Sequence, residues 1–464
     1  MHSFFHQTTK NHALERIRTV YPEQLPIFKE LNPYSGNIDQ NNRWIKLARL
    51  VPWDVMEVIY RDHFDQGKQK VIKNGRLMLG LMLGQMLMSL SDREIVEYFH
   101  ENPYFQYFCG QETFVAKRDK GIVHHSLLSK RRKRLGKAYV EKFEREVLEV
   151  LKSKGLIKGH KLILDATVFP ANITYPNDVK LLNTVREYLC EKILEVKNTY
   201  DPKGRIRTVR RVARKVYLKF QKTKKKSKQL IRKTRNQMIR YVKRNIRQLE
   251  TVLEKAVALK EWKREQIEVH LKTAKKILEQ QVYMATTRGR QVANRIVSFH
   301  WPDVRPIIRG KDGKSVEFGP KAHVALIDGY ACLDDLRYEA YHEGNELEAS
   351  LKNHQDRFGI EPKMVLADQL YATRKNRAFL EEQEIEHAFK RVGRPPKEPT
   401  EEARKKRRRF KKKQGERNHI EGTFGHLKSR FNLGTIKWRV VDGERMQVGL
   451  GLVAFNLHTA LTQT

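Results

Sequence analysis

Met364-Val365-Leu366-Ala367-Asp368-Gln369-Leu370-Tyr371 is an apolar run that ends on a carboxylate. A short apolar run of this length behind Pro362 reads as a buried strand. An earlier run, Lys161-Leu162-Ile163-Leu164-Asp165, ends in the same way. A third acid, Glu421, stands 53 residues after Asp368, in Arg417-Asn418-His419-Ile420-Glu421-Gly422-Thr423-Phe424-Gly425-His426-Leu427-Lys428. The spacing predicts a helix over 416–430. Arg417, Glu421 and Lys428 then share one face, because steps of four and seven residues are roughly one and two turns. Ile420, Phe424 and Leu427 are left to pack on a sheet.

An Asp at the end of a central strand points into the crevice at the strand's carboxyl end. A second Asp on an adjacent strand faces it, and a Glu from an overlying helix closes the site. Three such acids can hold two divalent cations about 3.5–4 Å apart, which neutralise the attacking and leaving oxygens of a phosphodiester. Mg²⁺, or Mn²⁺ in its place, takes oxygen ligands and keeps several waters, so two or three carboxylates suffice. Taken singly, each acid is better explained as a turn cap or, for Glu421, as an i,i+4 partner of Arg417. Only the combination is specific.

The chain has 464 residues, 93 Lys+Arg against 54 Asp+Glu, and a net charge of +39. That excess points to a polyanionic partner, of which nucleic acid is the commonest. Ribosome association and an anionic membrane surface are the alternatives. Cys109, Cys190 and Cys332 are far apart, which argues against a disulfide framework or a Cys-based zinc site. The N-terminus lacks the pattern of a signal peptide. The longest apolar stretch, 77–88, is shorter than the ~20 residues a bilayer span requires and is interrupted by Gln85. A cytoplasmic protein with free thiols, away from membranes, is therefore expected.

The organisation read from the chain has six parts. Residues 1–158 are a helical DNA-binding or dimerisation domain. In it, Ser91-Asp92-Arg93-Glu94 fits a capping box for a helix over 92–101. With 76–90 this helix has the outline of a helix-turn-helix, although hairpins that merely pack are commoner. Lys130-Arg131-Arg132-Lys133-Arg134 offers phosphate contacts, with a solvated face as the plain alternative. Residues 159–184 and 299–392 carry the strands of an α/β core. Between them, 185–298 reads as an inserted basic helical hairpin. Its seam of Ile239, Val242, Ile246, Leu249, Leu253 and Ala256 has heptad spacing, and its role is a stiff spacer or oligomer contact, a basic surface along DNA, or both. Residues 393–413 are a basic linker expected to be disordered without its partner, with Arg394 in a Gly-Arg-Pro core of the kind found in minor-groove arms. Residues 414–464 are C-terminal helices that carry Glu421. Asp328, Asp334 and Asp335 lie near strand ends and compete with Asp165 for a place in the site. His124-His125, His419 and His426 have no metal-ligand spacing.

Asp165 in Leu-Asp-Ala-Thr, Asp368 in Leu-Ala-Asp-Gln-Leu-Tyr, and Arg417-x₃-Glu421-x₆-Lys428 together resemble the DDE transposases of bacterial insertion sequences. The branch is the one whose signature is Tyr-x₂-Arg-x₃-Glu-x₆-Lys. Arg305-Pro306-Ile307-Ile308-Arg309 and Glu317-Phe318-Gly319-Pro320-Lys321 are also similar to that branch. The resemblance implies an RNase H-like catalytic core, a mixed sheet flanked by helices. It also implies that Asp165, Asp368 and Glu421 bind two Mg²⁺ or Mn²⁺ ions, while Arg417 and Lys428 hold a DNA phosphate. Such enzymes cut at terminal inverted repeats and join the freed 3′-OH to target DNA. A homodimer is expected because two ends must be brought together. Gln414 replaces the signature Tyr, which puts a hairpin intermediate in doubt, and Tyr371 is offered as a base-stacking substitute. The competing readings are a nuclease or resolvase on the same fold without strand transfer, and a DNA-binding protein that has lost catalysis.

Overall fold

In a computed structural model, the described residues are 38–463, apart from 66–73, 112–113, 116–122, 288, 290–291, 309–315, 340, 390–400 and 441. In chain order they form α1 (Arg43–Ala48), α2 (Trp53–Asp65), α3 (Gly75–Met88), α4 (Asp92–Glu101), α5 (Pro103–Phe108), α6 (Ser126–Ser153) and β1 (Lys161–Val168). There follow α7 (Asp178–Tyr200), α8 (Arg210–Lys222), α9 (Lys228–Lys255), α10 (Glu261–Thr286), β2 (Pro306–Ile308) and β3 (Val316–Phe318). The last group is β4 (Lys321–Ile327), β5 (Tyr330–Arg337), α11 (Leu347–Phe358), β6 (Met364–Ala367), α12 (Arg374–Glu382), β7 (Glu386–His387), α13 (Glu401–Arg430) and α14 (Gly443–Gln463). The chain divides into two compact units, one of residues 1–170 with 321–464 and one of residues 171–320.

The first unit is built on a five-stranded mixed sheet in the order β5-β4-β1-β6-β7. β4 and β5 form a hairpin, and β4 pairs antiparallel with β1. On its other side β1 pairs parallel with β6, and β6 with β7. The apolar content of β1 and β6 reflects this central position: Leu162, Leu164, Val365 and Leu366 are all buried. The result is an α/β core, as the sequence pattern implies.

The N-terminal helices explain themselves locally. Ser91 accepts from the Glu94 N–H at 3.4 Å and Glu94 accepts from the Ser91 N–H at 2.7 Å, so the capping box forms. α3 is apolar all round and its residues Gly75 to Met86 are buried, as expected of a core helix. A Cβ at Gly84 would collide with the Phe105 ring, which is why glycine stands there. The outward side of α4 carries Arg93, Glu94, Glu97 and Glu101. That acid-rich face is unsuited to a DNA groove, so α3 and α4 are a packing hairpin. α6 bends at Gly136, whose φ of 69° suits glycine. The basic run lies on the segment before this bend.

The C-terminal helix ties the unit together. Asn456 of α14 donates to the Ala331 carbonyl at 2.8 Å and accepts from the Ala331 N–H at 2.7 Å, locking α14 to β5. Gln447 is fully buried, accepts from the Lys437 and Trp438 N–H groups, and donates to the Asn432 and Thr435 carbonyls. One side chain thus sets the path of the loop that follows α13.

The second unit is more than a hairpin. α7 to α10 pack around one core in which the heptad positions Val242, Ile246, Leu249 and Leu253 of α9 meet Leu182, Val185, Leu189 and Ile193 of α7 as well as Ile267, Leu271 and Ala274 of α10. The linker expectation is also corrected in part. Residues 401–413 are not irregular but form the first turns of α13, joined to the predicted 416–430 helix without a break.

Replacing Gln447 with Ala would leave two N–H groups, the Trp438 one buried, and two part-buried carbonyls without this partner. At about 1–3 kcal/mol for a buried group stripped of its hydrogen bond, the expected loss is roughly 2–4 kcal/mol, measured by urea denaturation of the full-length protein.

Candidate active site

Register places two of the acids side by side. In the parallel ladder Leu164 of β1 aligns with Ala367 of β6, so the next residue on each strand is Asp165 and Asp368. Asp165 lies within β1, which continues to Val168, and not at its end. Asp368 follows β6 directly and accepts from the Gln369 N–H at 2.5 Å, capping a short 3₁₀ turn over Gln369–Tyr371.

α13 lies over β1 and β6. Ile420, Phe424 and Leu427 are buried beneath it, as the periodicity predicts. Its N-terminal half is fixed by ion pairs of Glu416 with Lys161 and of Lys413 with Glu386. Gln414, at the signature Tyr position, donates to the Ala388 carbonyl and so also anchors the helix. Arg417 then stands 3.6 Å from Asp165 and 3.1 Å from Glu421, bridging two of the three acids. About three turns beyond Arg417, Lys428 donates to the Thr167 hydroxyl at 2.8 Å and lies over the Phe169 ring.

The electrostatics favour a cation at Asp165. Burial is the main cause that pushes its carboxyl up to about 6. The hydrogen bond from the Ala166 N–H opposes this, Glu343 and Asp368 raise the value further, and Arg417 lowers it. The donors are all hard oxygens, as Mg²⁺ or Mn²⁺ requires, with no sulfur or imidazole among them. Among the described residues no three acids, His or Cys are gathered tightly enough to enclose an ion. Glu421 is exposed and turned to Arg417.

Glu343 is the acid the sequence did not disclose. It lies in His342-Glu343-Gly344-Asn345-Glu346, which reads only as the start of a polar helix. In the fold, Asn376 donates to both the Gly344 and Tyr371 carbonyls, at 2.7 and 2.8 Å, pinning this turn to the one after Asp368. Lys321 pairs with Glu343 at 2.7 Å. The competing Asp residues serve the scaffold. Asp328 accepts from the Lys158 and Gly159 N–H groups, Asp334 is buried with Arg357 at 2.5 Å, and Asp335 pairs with Arg337.

Three expectations for other residues change. Tyr371 is buried with its hydroxyl 2.6 Å from His323 Nε2, and burial raises its pKa, so it cannot stack on a base. Arg131 and Arg132 face inward. Arg132 binds Asp92 and Gln85 and covers the Trp438 ring at 4.1 Å, while Arg131 is buried near Tyr60. Both are removed as phosphate contacts because a phosphate reader must present its guanidinium to solvent. Lys133 and Arg134 are exposed. Arg394 lies outside the described residues.

Comparison with known proteins points to transposases. The transposase DDE domain family matches residues 365–447, which hold Asp368, Arg417, Glu421 and Lys428. A second family, the transposase domain DUF772, matches residues 32–134. An uncharacterized protein, ORF8 of the nfe locus in Rhizobium meliloti, is 30% identical over 147 residues, 31% of this chain and 69% of that protein. No solved structure matches. The chain belongs to the DDE transposases of insertion sequences. Among the described residues no helix is long and apolar enough to cross a membrane.

The raised Asp165 value fixes a pH dependence for the metal-free protein. The folded state holds its proton up to about pH 6, whereas an unfolded Asp releases it near 4. Folding stability from this group therefore falls as pH rises through that window and stays low above it. Asp165→Asn is expected to melt higher than wild type in EDTA at pH 7.5, by a few degrees, with the gap closing below about pH 4–5. Differential scanning calorimetry across pH checks this.

Proposed function

We propose that the protein cuts DNA at the terminal inverted repeats of its own insertion sequence and joins the 3′-OH ends to target DNA. The observation that carries this reading is the convergence of Asp165 and Asp368, adjacent across parallel strands, beneath the helix face of Arg417, Glu421 and Lys428. The sheet order β5-β4-β1-β6-β7, in which β4 alone runs opposite to the other four strands, supports an RNase H-like core.

Asp165, Asp368 and Glu421 would hold two divalent ions, Mg²⁺ or Mn²⁺. When bound, such ions lower the barrier by neutralising charge on the attacking and leaving oxygens. The chain's own residues do the rest. Arg417, which stands between Asp165 and Glu421, binds a phosphate oxygen of the substrate. Lys428 holds a neighbouring phosphate from its position on Thr167. Lys133, Arg134 and Arg394 add phosphate contacts that position the duplex without reading its sequence. Two copies of the chain act together, because two ends must be cut and joined.

The test uses linear DNA carrying the repeats that flank the gene, with Mg²⁺, Mn²⁺ or EDTA. Wild type is expected to cut at the repeat ends only with metal. Asp165→Ala, Asp368→Ala and Glu421→Ala should each lose at least about a hundredfold in rate while binding DNA normally. A donor with a free 3′-OH should become joined to target. Cutting without joining would favour a nuclease or resolvase. Binding with no cutting by wild type would favour a DNA-binding protein derived from a transposase.

A further inference from the structure

Between Asp201 and Arg235 the chain carries 16 Lys and Arg and no acid but Asp201 itself. Lys226 and Arg235 are half-buried and the other fourteen are exposed. Among the described residues none of the sixteen forms an ion pair, and the acids of this unit that do pair are held by other cations: Asp201 by Lys197, Glu195 by Lys192 and Lys263, Glu250 by Lys275, Asp178 by Arg295 and Glu187 by Arg186. On α8, Arg211, Lys215 and Lys219 recur at steps of four, with Lys222 three further on and Arg210 and Arg214 beside them. Like charges at this spacing destabilise a helix. Among the described residues no ion pair to a cation of α8 relieves that repulsion.

We propose that the outward face of α8, continued through residues 223–235, is a sequence-independent docking surface for the phosphate backbone of duplex DNA. The inference rests on the transposase reading and adds where the duplex is gripped outside the catalytic unit. Charge complementarity selects a polyanion. The apolar side of α8 decides against an anionic membrane: Ala213 and Phe220 are buried, and Val216 and Tyr217 pack on the core of the bundle. Val212 and Leu218 of α8 are exposed, but six residues apart they stand on different sides of the helix and form no continuous apolar face of the kind interfacial helices need to enter a bilayer. The stripe from Arg211 to Lys222 is about 16 Å long at 1.5 Å per residue. A duplex presents one negative charge per about 1.7 Å of its axis, so each cation on the stripe has a phosphate within reach.

The test is the salt dependence of DNA binding by the full-length protein, on a duplex with the repeat end and on a scrambled duplex. The five-site variant R211Q/R214Q/K215Q/K219Q/K222Q should show a slope of log K against log[KCl] shallower by about 4–5, at about 0.9 for each phosphate that is no longer neutralised. The change should be equal on both duplexes. The pair K215Q/K219Q should give about 2, which keeps the test intact if the five-site variant does not fold. The control K272Q/K276Q on α10 should leave the slope unchanged. An unchanged slope in folded variants, or an effect confined to the repeat-end duplex, would overturn the proposal. If wild type cuts repeat ends and the slope does not move, this inference alone fails. If the slope moves and wild type never cuts, the surface stands and the transposase reading fails.

Discussion

The parallel pairing of β1 with β6 is the constraint on which the rest depends. Its register puts Leu164 opposite Ala367, so Asp165 and Asp368, more than two hundred residues apart in sequence, become neighbours across one strand gap. A slip by one residue would turn one Asp to the other face of the sheet. The strands are buried on both faces, and the close packing of Leu162, Ile163 and Leu164 on β1 and of Val365 and Leu366 on β6 opposes such a slip. The whole unit of 171–320 is accommodated between β1 and the β4–β5 hairpin in the chain without disturbing that register.

Charge is distributed in opposition to itself. The protein is strongly basic, yet burial together with Glu343 and Asp368 makes the surroundings of Asp165 unfavourable to a negative charge. Arg417 relieves part of that repulsion by lying between Asp165 and Glu421. Cations brought to a site with this balance would reduce the repulsion further, as the proposed metal binding requires. The same logic separates the arginines of α6. Arg132 is committed to Asp92 and Trp438 and holds the helical domain together, while Lys133 and Arg134 face solvent.

Much of this is legible in the sequence because it follows from local rules. The capping box at Ser91, the apolar runs before Asp165 and Asp368, and the single face of Arg417, Glu421 and Lys428 each need only spacing and residue type. What is not legible depends on tertiary packing. A run of five cations does not reveal that α6 turns Arg131 and Arg132 inward, since helical period and neighbouring acids decide this together. Tyr371 reads as accessible because it follows Asp368, but the His323 ring draws it into the core. Glu343 gives no signal, since it reaches the site through the clamp of Asn376 on two turns distant in sequence. Residues 401–413 read as disordered by composition, yet they continue into a helix whose apolar positions, Ile420, Phe424 and Leu427, are fixed on the sheet.

The central claim is that three acids remote in sequence share bound metal. Fe²⁺ substituted into the purified full-length protein, with ascorbate and peroxide, cleaves the backbone where the ion sits. The account predicts cuts at three separate places, around residues 165, 368 and 421, all suppressed by excess Mg²⁺ and weakened together in Asp165→Asn. Cuts confined to other regions, or none above the metal-free background, would contradict it.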